Sequence, residues 1–215
     1  MGEYRNIFFD FDGVILESVK AKTNAFIEMY RPYGNTIMNK VLQHHIENGG
    51  ISRFEKFKYY EEVFLGKQCS RERIDELAKE FSLKVKDQVI SSKAVEGVIE
   101  FLENYHKKLD FWIITGTPTD EILEITKARN LQGYFKGIYG SPKNKKHWTE
   151  YIIDLHGLDR SSTLFLGDAT TDYEAAKHSG LHFGLRQIPE NEIMFKDYMG
   201  LKFTDFYQLE KELFL

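Results

Sequence analysis

The stretch Ile7-Phe8-Phe9-Asp10-Phe11-Asp12-Gly13-Val14 sets the frame for the whole chain. Three large apolar residues in succession form the pattern of a short strand buried on both faces, as in a parallel sheet. That run stops on two acids two residues apart. Alternate residues of extended backbone face the same side, so Asp10 and Asp12 look into one crevice. Equivalent apolar runs predict strands at Phe111–Ile114, Ile138–Tyr139, Leu164–Leu166 and Leu181–Leu185. Three of these also end in small or polar residues: Thr115-Gly116, Gly140-Ser141 and Gly167-Asp168. In open α/β sheets the ligand crevice lies beyond the carboxyl ends of the strands, so residues more than 100 positions apart are brought to one site.

Between the later strands the apolar period changes to that of helices, over Asp120–Arg129, Trp148–Leu155 and Tyr173–Ser179. This alternation predicts an α/β fold, a Rossmann-like parallel sheet with helices on both faces. Residues 17–91 differ. They carry helical periodicity with almost no strand signal, as in Phe54–Phe64 and Arg71–Phe81, punctuated by Gly34 and the Gly49–Gly50 pair. The expected division is therefore an α/β core of residues 1–16 and 92–215 with an all-helical cap of residues 17–91 inserted after the first strand.

A chain of 215 residues buries enough surface, roughly 70–75 % of its extended area, to fold without staples. The single cysteine, Cys69, excludes an internal disulfide framework and a four-cysteine zinc site. With 29 basic and 33 acidic side chains the formal net charge is −4, which gives no support to a nucleic-acid partner. No apolar run approaches the length of a membrane span. Asp10 and Asp12 interrupt the one N-terminal apolar stretch that could serve as a signal-peptide core, and Asn6 stands where a myristoylation signal after Gly2 needs Ser or Thr. A cytoplasmic location is the expectation.

The strand-end residues suit phosphoryl chemistry. Asp10 and Asp168 form an oxygen-rich site for a hard cation such as Mg²⁺, and Asp172, one helical turn beyond Asp168, supports it directly or through a ligand. Thr115 offers a hydroxyl, Gly116 an unobstructed N–H, and Lys143, Lys145 and Lys146 bring ammonium groups to the third strand end. A carboxylate attacking a phosphate dianion meets repulsion that a metal and a lysine neutralise, while a second acid protonates the leaving oxygen and later activates water.

Taken together, these residues resemble the haloacid dehalogenase-like hydrolases, specifically the helical-cap phosphatase and β-phosphoglucomutase-like branch. Asp10-Phe11-Asp12-Gly13-Val14 is similar to the family's first motif, Ile113-Ile114-Thr115-Gly116-Thr117 to its second, and Gly167-Asp168-Ala169-Thr170-Thr171-Asp172 to its fourth. Gly140-Ser141-Pro142-Lys143-Asn144-Lys145 is similar to a form of the third motif whose lysine sits three residues past the proline, which favours Lys145 over its neighbours.

The resemblance implies a Mg²⁺-dependent phosphatase of a small phosphorylated metabolite, a sugar phosphate or phosphoglycolate-like acid. Asp10 would be the nucleophile and a metal ligand, and Asp12 the general acid/base with its backbone carbonyl on the metal. Asp168 and Asp172 would complete the acids, and Thr115, Gly116 and Lys145 would hold the phosphoryl group. In the cap, Gly50-Ile51-Ser52-Arg53 is similar to the mutase branch's specificity loop, which makes Arg53 a substrate-contact candidate. The hinge histidine of that branch is matched by about Lys22, which weakens the phosphomutase alternative. A phosphonatase needs a cap lysine, for which Lys56 and Lys58 are available but not distinguished. A non-catalytic phospho-ligand sensor is disfavoured because every acid needed for turnover is present, and a dehalogenase because Asp12 is present. The pair His44–His45 and the aromatic run Phe54–Phe64 read as cap packing, and Cys69 has no evident role.

Overall fold

The computed structural model describes residues 4–214; Gly2 and the extreme ends of the 1–16 and 92–215 segments lie outside them. Six strands form one sheet: β1 (Asn6–Phe9), β2 (Asp110–Pro118), β3 (Gly137–Ser141), β4 (Thr163–Gly167), β5 (His182–Arg186) and β6 (Leu201–Phe203). Their order is β3-β2-β1-β4-β5-β6 and every pairing is parallel. The expected α/β architecture is thus present, with one strand, β6, that the apolar pattern did not mark. The chain leaves β1 toward β2 and β3 on one side and returns to β4 on the other. The topological switch, and with it the crevice, lies between the ends of β1 and β4.

Strand β1 shows why the sheet is buried on both sides. Ile7 and Phe9 enter one apolar cluster with Phe111, Ile113, Leu164 and Leu166. Phe8 points to the other face and packs with Trp112, Ile114, Phe165, Ala175 and Ala176. Helices α7 (Lys145–His156) and α8 (Thr170–His178) cover that second face through Ile152, Ile153, Ala175 and Ala176. Helices α5 (Val98–Tyr105) and α9 (Phe206–Phe214) cover the first through Phe101, Leu102, Phe206 and Leu209. Between them in chain order, α6 (Thr119–Ala128) adds Ile122 and Ile125 to the same cluster.

Between β1 and α5 the described chain forms four α-helices: α1 (Val19–Tyr30), α2 (Asn35–Glu47), α3 (Arg53–Tyr59) and α4 (Arg71–Ser91). A π-helical turn over Tyr60–Phe64 extends α3. In α4, buried Ile74, Leu77, Ala78, Phe81, Val85 and Val89 recur at helical spacing and form one inward stripe. Ser70 caps its start by accepting from the Arg73 N–H at 3.3 Å. The two connections of this helical insert run side by side: the Glu17 N–H donates to the Lys93 carbonyl at 2.9 Å and the Val95 N–H to the Ile15 carbonyl at 3.0 Å. Phe26, Tyr30, Val41, Phe57 and Phe81 of the insert belong to the same apolar cluster as the first face of the sheet. Among the described residues no helix is long and apolar enough to cross a membrane.

Candidate active site

Asp10 follows β1 directly, and its N–H still donates to the Leu166 carbonyl of β4 at 2.9 Å. The backbone thereby fixes the carboxylate at the switch point. Oδ1 accepts from the Phe11 N–H at 2.7 Å, and Oδ2 lies 2.9 Å from Lys145 Nζ. Lys145 is the first residue of α7, whose N-cap Asn144 accepts from the His147 N–H at 2.9 Å and so sets the start of the helix. From there the buried ammonium also donates to Asp172 Oδ1 at 2.6 Å. Its two lysine neighbours stay away: Lys143 is exposed and Lys146 pairs with Glu174 at the surface. Asp172 sits in the first turn of α8 and its Oδ2 accepts from the Ala169 N–H at 3.1 Å.

Asp10, Asp168 and Asp172 each offer an oxygen within 4.8 Å of the others. Three buried carboxylates face one ammonium, which leaves two negative charges unbalanced. Burial, with the charges of Asp10 and Asp172, pushes the Asp168 carboxyl well above the usual range; Lys145 offsets this only in part. Burial raises Asp172 to about 7 against the opposing charge of Lys145. Burial disfavours the Lys145 ammonium, but Asp10 and Asp172 outweigh it and raise its pKa. Among the described residues no hydrogen bond reaches the Asp168 carboxylate, which lies against Gly13: a Cβ there would meet Asp168 Oδ2 at 2.2 Å. All-oxygen donors with a surplus of two charges fit a divalent hard cation.

Asp12 occupies separate surroundings. Ser18 Oγ donates to its Oδ1 at 2.6 Å, Thr117 Oγ1 donates to Oδ2 at 3.1 Å, and Lys22 Nζ pairs with Oδ2. Burial alone would raise this carboxyl, but the charge and hydrogen bond of Lys22, helped by Ser18 and Thr117, hold it below its ordinary value. Its side chain therefore stands apart from the three-acid cluster. Lys22 Nζ also donates to Thr117 Oγ1 at 2.6 Å, so α1 and the end of β2 meet at this acid.

Thr115 and Gly116 lie within the observed β2, but the β2–β3 register shifts between Ile114 and Pro118, and there the strand leaves its ladder. Gly116 is pressed against the insert, where a Cβ would meet the Gly50 carbonyl at 2.7 Å. Gly50 itself has φ +75°, and a Cβ on it would lie 1.9 Å from Thr171 Oγ1 and 3.4 Å from Lys145 Nζ. Thr171 Oγ1 donates to the Gly49 carbonyl at 3.1 Å. The Gly49–Gly50 turn thus packs directly on Gly116, Ala169 and Thr171 at the strand ends.

Arg53 is buried and its guanidinium is engaged. It donates to Glu121 of α6 at 2.8 and 2.6 Å and to Ser82 Oγ at 2.7 Å, with its carbon 4.6 Å from the Phe81 ring centre. It lines the cavity, but in this arrangement it braces α3 against α6 and α4. The sequence makes Arg53 a substrate-contact candidate; here its guanidinium is engaged by Glu121 and Ser82. The residues that pattern did not single out are Lys22, Ser18, Thr117, Glu121 and, on the roof, Lys56. The sequence marks Lys56 only as one of two undistinguished cap lysines, with Lys58. A cavity of about 690 Å³, the size of a small-molecule site, joins the groups: Asp10, Asp12, Thr115, Gly116 and Asp168 on the floor, with Lys56 among the residues above.

A family model described as haloacid dehalogenase-like hydrolase matches residues 7–185, which includes all of these strand ends. The chain belongs to the haloacid dehalogenase-like hydrolases. Phosphoglycolate phosphatase 1 of Saccharolobus solfataricus is 22 % identical over 160 residues, covering 72 % of this chain; the match spans 64 % of that relative's length. Among solved structures, the haloacid dehalogenase-like family protein SP0104 from Streptococcus pneumoniae superposes with a TM-score of 0.72 at 19 % identity, covering 99 % of this chain and 100 % of that one. A predicted phosphoglycolate phosphatase from Haemophilus somnus gives 0.73 at 18 % identity, covering 99 % of each chain. At these identities the structural likeness speaks for the fold.

Proposed function

We propose that this haloacid dehalogenase-like hydrolase is a Mg²⁺-dependent phosphatase of small phosphomonoesters that works through an aspartyl-phosphate on Asp10. The observation that carries the reading is the position of Lys145, within 2.9 Å of Asp10 and 2.6 Å of Asp172 beside the otherwise unpaired Asp168. Asp10, Asp168 and the Asp12 carbonyl would hold the cation, with Asp172 orienting Lys145; when bound, Mg²⁺ supplies charge neutralisation for the phosphoryl oxygens.

Asp10 attacks phosphorus with one carboxylate oxygen while the ester P–O bond breaks. Lys145 offsets the negative charge of nucleophile and phosphate, and the Thr115 hydroxyl and Gly116 N–H donate hydrogen bonds to the phosphoryl oxygens. Asp12 gives its proton to the leaving alkoxide. In the second step Asp12 takes a proton from water, the water oxygen bonds to phosphorus, and the P–O bond to Asp10 breaks to release inorganic phosphate. Protein groups surround Asp12 in its ionised form, which is the form the second step needs. For the first step it takes up a proton, from water or from a substrate that arrives as the phosphate monoanion.

Release of phosphate from p-nitrophenyl phosphate tests the reading. Wild type should turn over with added Mg²⁺ and stop with EDTA. Asp10→Asn should lose at least about 10³-fold in kcat while keeping its thermal transition. Turnover by Asp10→Asn, or turnover indifferent to EDTA, contradicts the proposal.

A further inference from the structure

Lys56 stands out among the charged groups of the molecule. The residue is 2 % exposed and lines the same cavity as Asp10, yet among the described residues no carboxylate lies within ion-pair distance. An ammonium carries three hydrogens. Here it has two protein acceptors: Nδ1 of neutral His45 at 2.8 Å and the His45 carbonyl at a long 3.4 Å. The Phe26 ring centre lies 5.6 Å away. Phe26, Ile46 and Phe81, from α1, α2 and α4, line the apolar part of the cavity around it. The nearby cation Lys22 is already neutralised by Asp12, and Arg53 by Glu121. Among the described residues Lys56 is therefore the buried roof cation without a counter-charge; Lys20, which also lines the cavity, is exposed.

Burying such a group costs stability unless something compensates. Burial, followed by the charge of Lys22, lowers its pKa to about 7, and burial with the charge of Lys56 pushes His45 well below its ordinary value. A residue needed only to fill this position would be better served by methionine, which is unbranched, only one atom shorter and uncharged.

We infer that Lys56 and His45 form an anion subsite in the roof of the cavity, selecting phosphomonoesters whose organic part carries a second acidic group. The inference rests on the phosphatase reading for which phosphate sits at Asp10, and it assigns the other end of the substrate. A carboxylate and a second phosphate share the required chemistry. Either would accept the free hydrogen of Lys56 and supply the missing counter-charge, while a neutral hydroxyalkyl group would leave the ammonium unpaired.

Matched pairs separate these possibilities. Phosphoglycolate against 2-hydroxyethyl phosphate tests the carboxylate, and propane-1,3-diol bisphosphate against 3-hydroxypropyl phosphate tests the second phosphate. Affinity is measured by calorimetry on Asp10→Asn protein with Mg²⁺ present, so that the comparison does not depend on turnover. At least one acidic member should bind about 10- to 100-fold more tightly than its neutral mate. Lys56→Met should reduce that ratio to within about two-fold, and Lys56→Arg should restore most of it. Lys56→Met should also melt no lower than its parent, whereas a packing role for the lysine predicts a lower melting temperature; Lys56→Gln serves if the methionine variant does not fold. Equal binding of both members in both pairs, or an unchanged ratio in the uncharged variant, overturns the subsite. Loss of p-nitrophenyl phosphate turnover in wild type would instead count against the phosphatase reading.

Discussion

Asp12 and Lys22 are ten residues apart, and the helix that carries Lys22 is the first of the insert. The ammonium donates to both Asp12 and Thr117, so it ties the acid/base candidate to the end of β2. Lys22→Met should leave KM for p-nitrophenyl phosphate within about three-fold and lower kcat by about 10²-fold, because Asp12 loses the partner that holds its charge and direction. An unchanged kcat would remove Lys22 from the site. Lys56 makes a prediction of a different kind. In the unfolded chain a lysine titrates near about 10.4, and in the fold burial brings Lys56 to about 7. Between these values the unfolded chain holds a proton that the folded chain has lost, so Lys56 destabilises fully below that window and ceases to do so above it. The stability advantage of Lys56→Met over wild type in urea titrations should therefore shrink from pH 7 to pH 9, by up to about 1.4 kcal/mol per pH unit. A gap that stays constant or widens contradicts the assignment. Lys22, His44 and His45 lie close enough to shape the curve, which is why the difference between the two proteins is the quantity measured.

The elements that were legible from residue pattern are those whose partners lie along their own backbone. β1, β2, β3, β4 and β5 were marked by apolar runs, and the acids after β1 and β4 by their place at the strand ends. β6 escaped because it is three residues long and Lys202 interrupts it. Helix α5 has eight residues and begins after Gly97, which has no side chain to cap it. The pairings Arg53–Glu121, Lys56–His45 and Lys22–Asp12 were not legible at all. Each joins different elements, and no single-helix period encodes how those elements rotate against one another. The same is true of the Gly49–Gly50 turn: its glycines were visible as punctuation, but not the seat they occupy over Thr171, Ala169 and Gly116. Gly50→Ala should cost about 1–3 kcal/mol in urea unfolding, from positive φ and the overlap with Thr171, and should depress turnover with it. Gly34→Ala, also at positive φ but with no atom within 4 Å of the added carbon, isolates the backbone contribution and should leave turnover unchanged.

At the scale of the molecule the helical insert shares its apolar core with one face of the sheet. The buried Arg53–Glu121 pair lies across that contact, and removing one partner strands the other; Glu121→Leu should therefore destabilise by about 3–5 kcal/mol, and adding Arg53→Met should recover much of it. A continuous core also predicts one cooperative urea transition by fluorescence and circular dichroism, whereas two resolved transitions would separate insert and sheet. The net charge of −4 and the strand-end acids were readable at the outset. The distribution of cations between catalytic floor and roof needed the assembled fold, because it depends on which lysines find acids.

The central claim is that Asp10 carries the phosphoryl group between the two steps. Quenching turnover with tritiated borohydride reduces an aspartyl-phosphate to homoserine, and peptide mapping locates the change. Label at position 10, absent when substrate or Mg²⁺ is omitted and absent in Asp10→Asn, is the result expected. Label at another acid, or sustained phosphate release with no label on the protein, would show that Asp10 is not the residue that is phosphorylated.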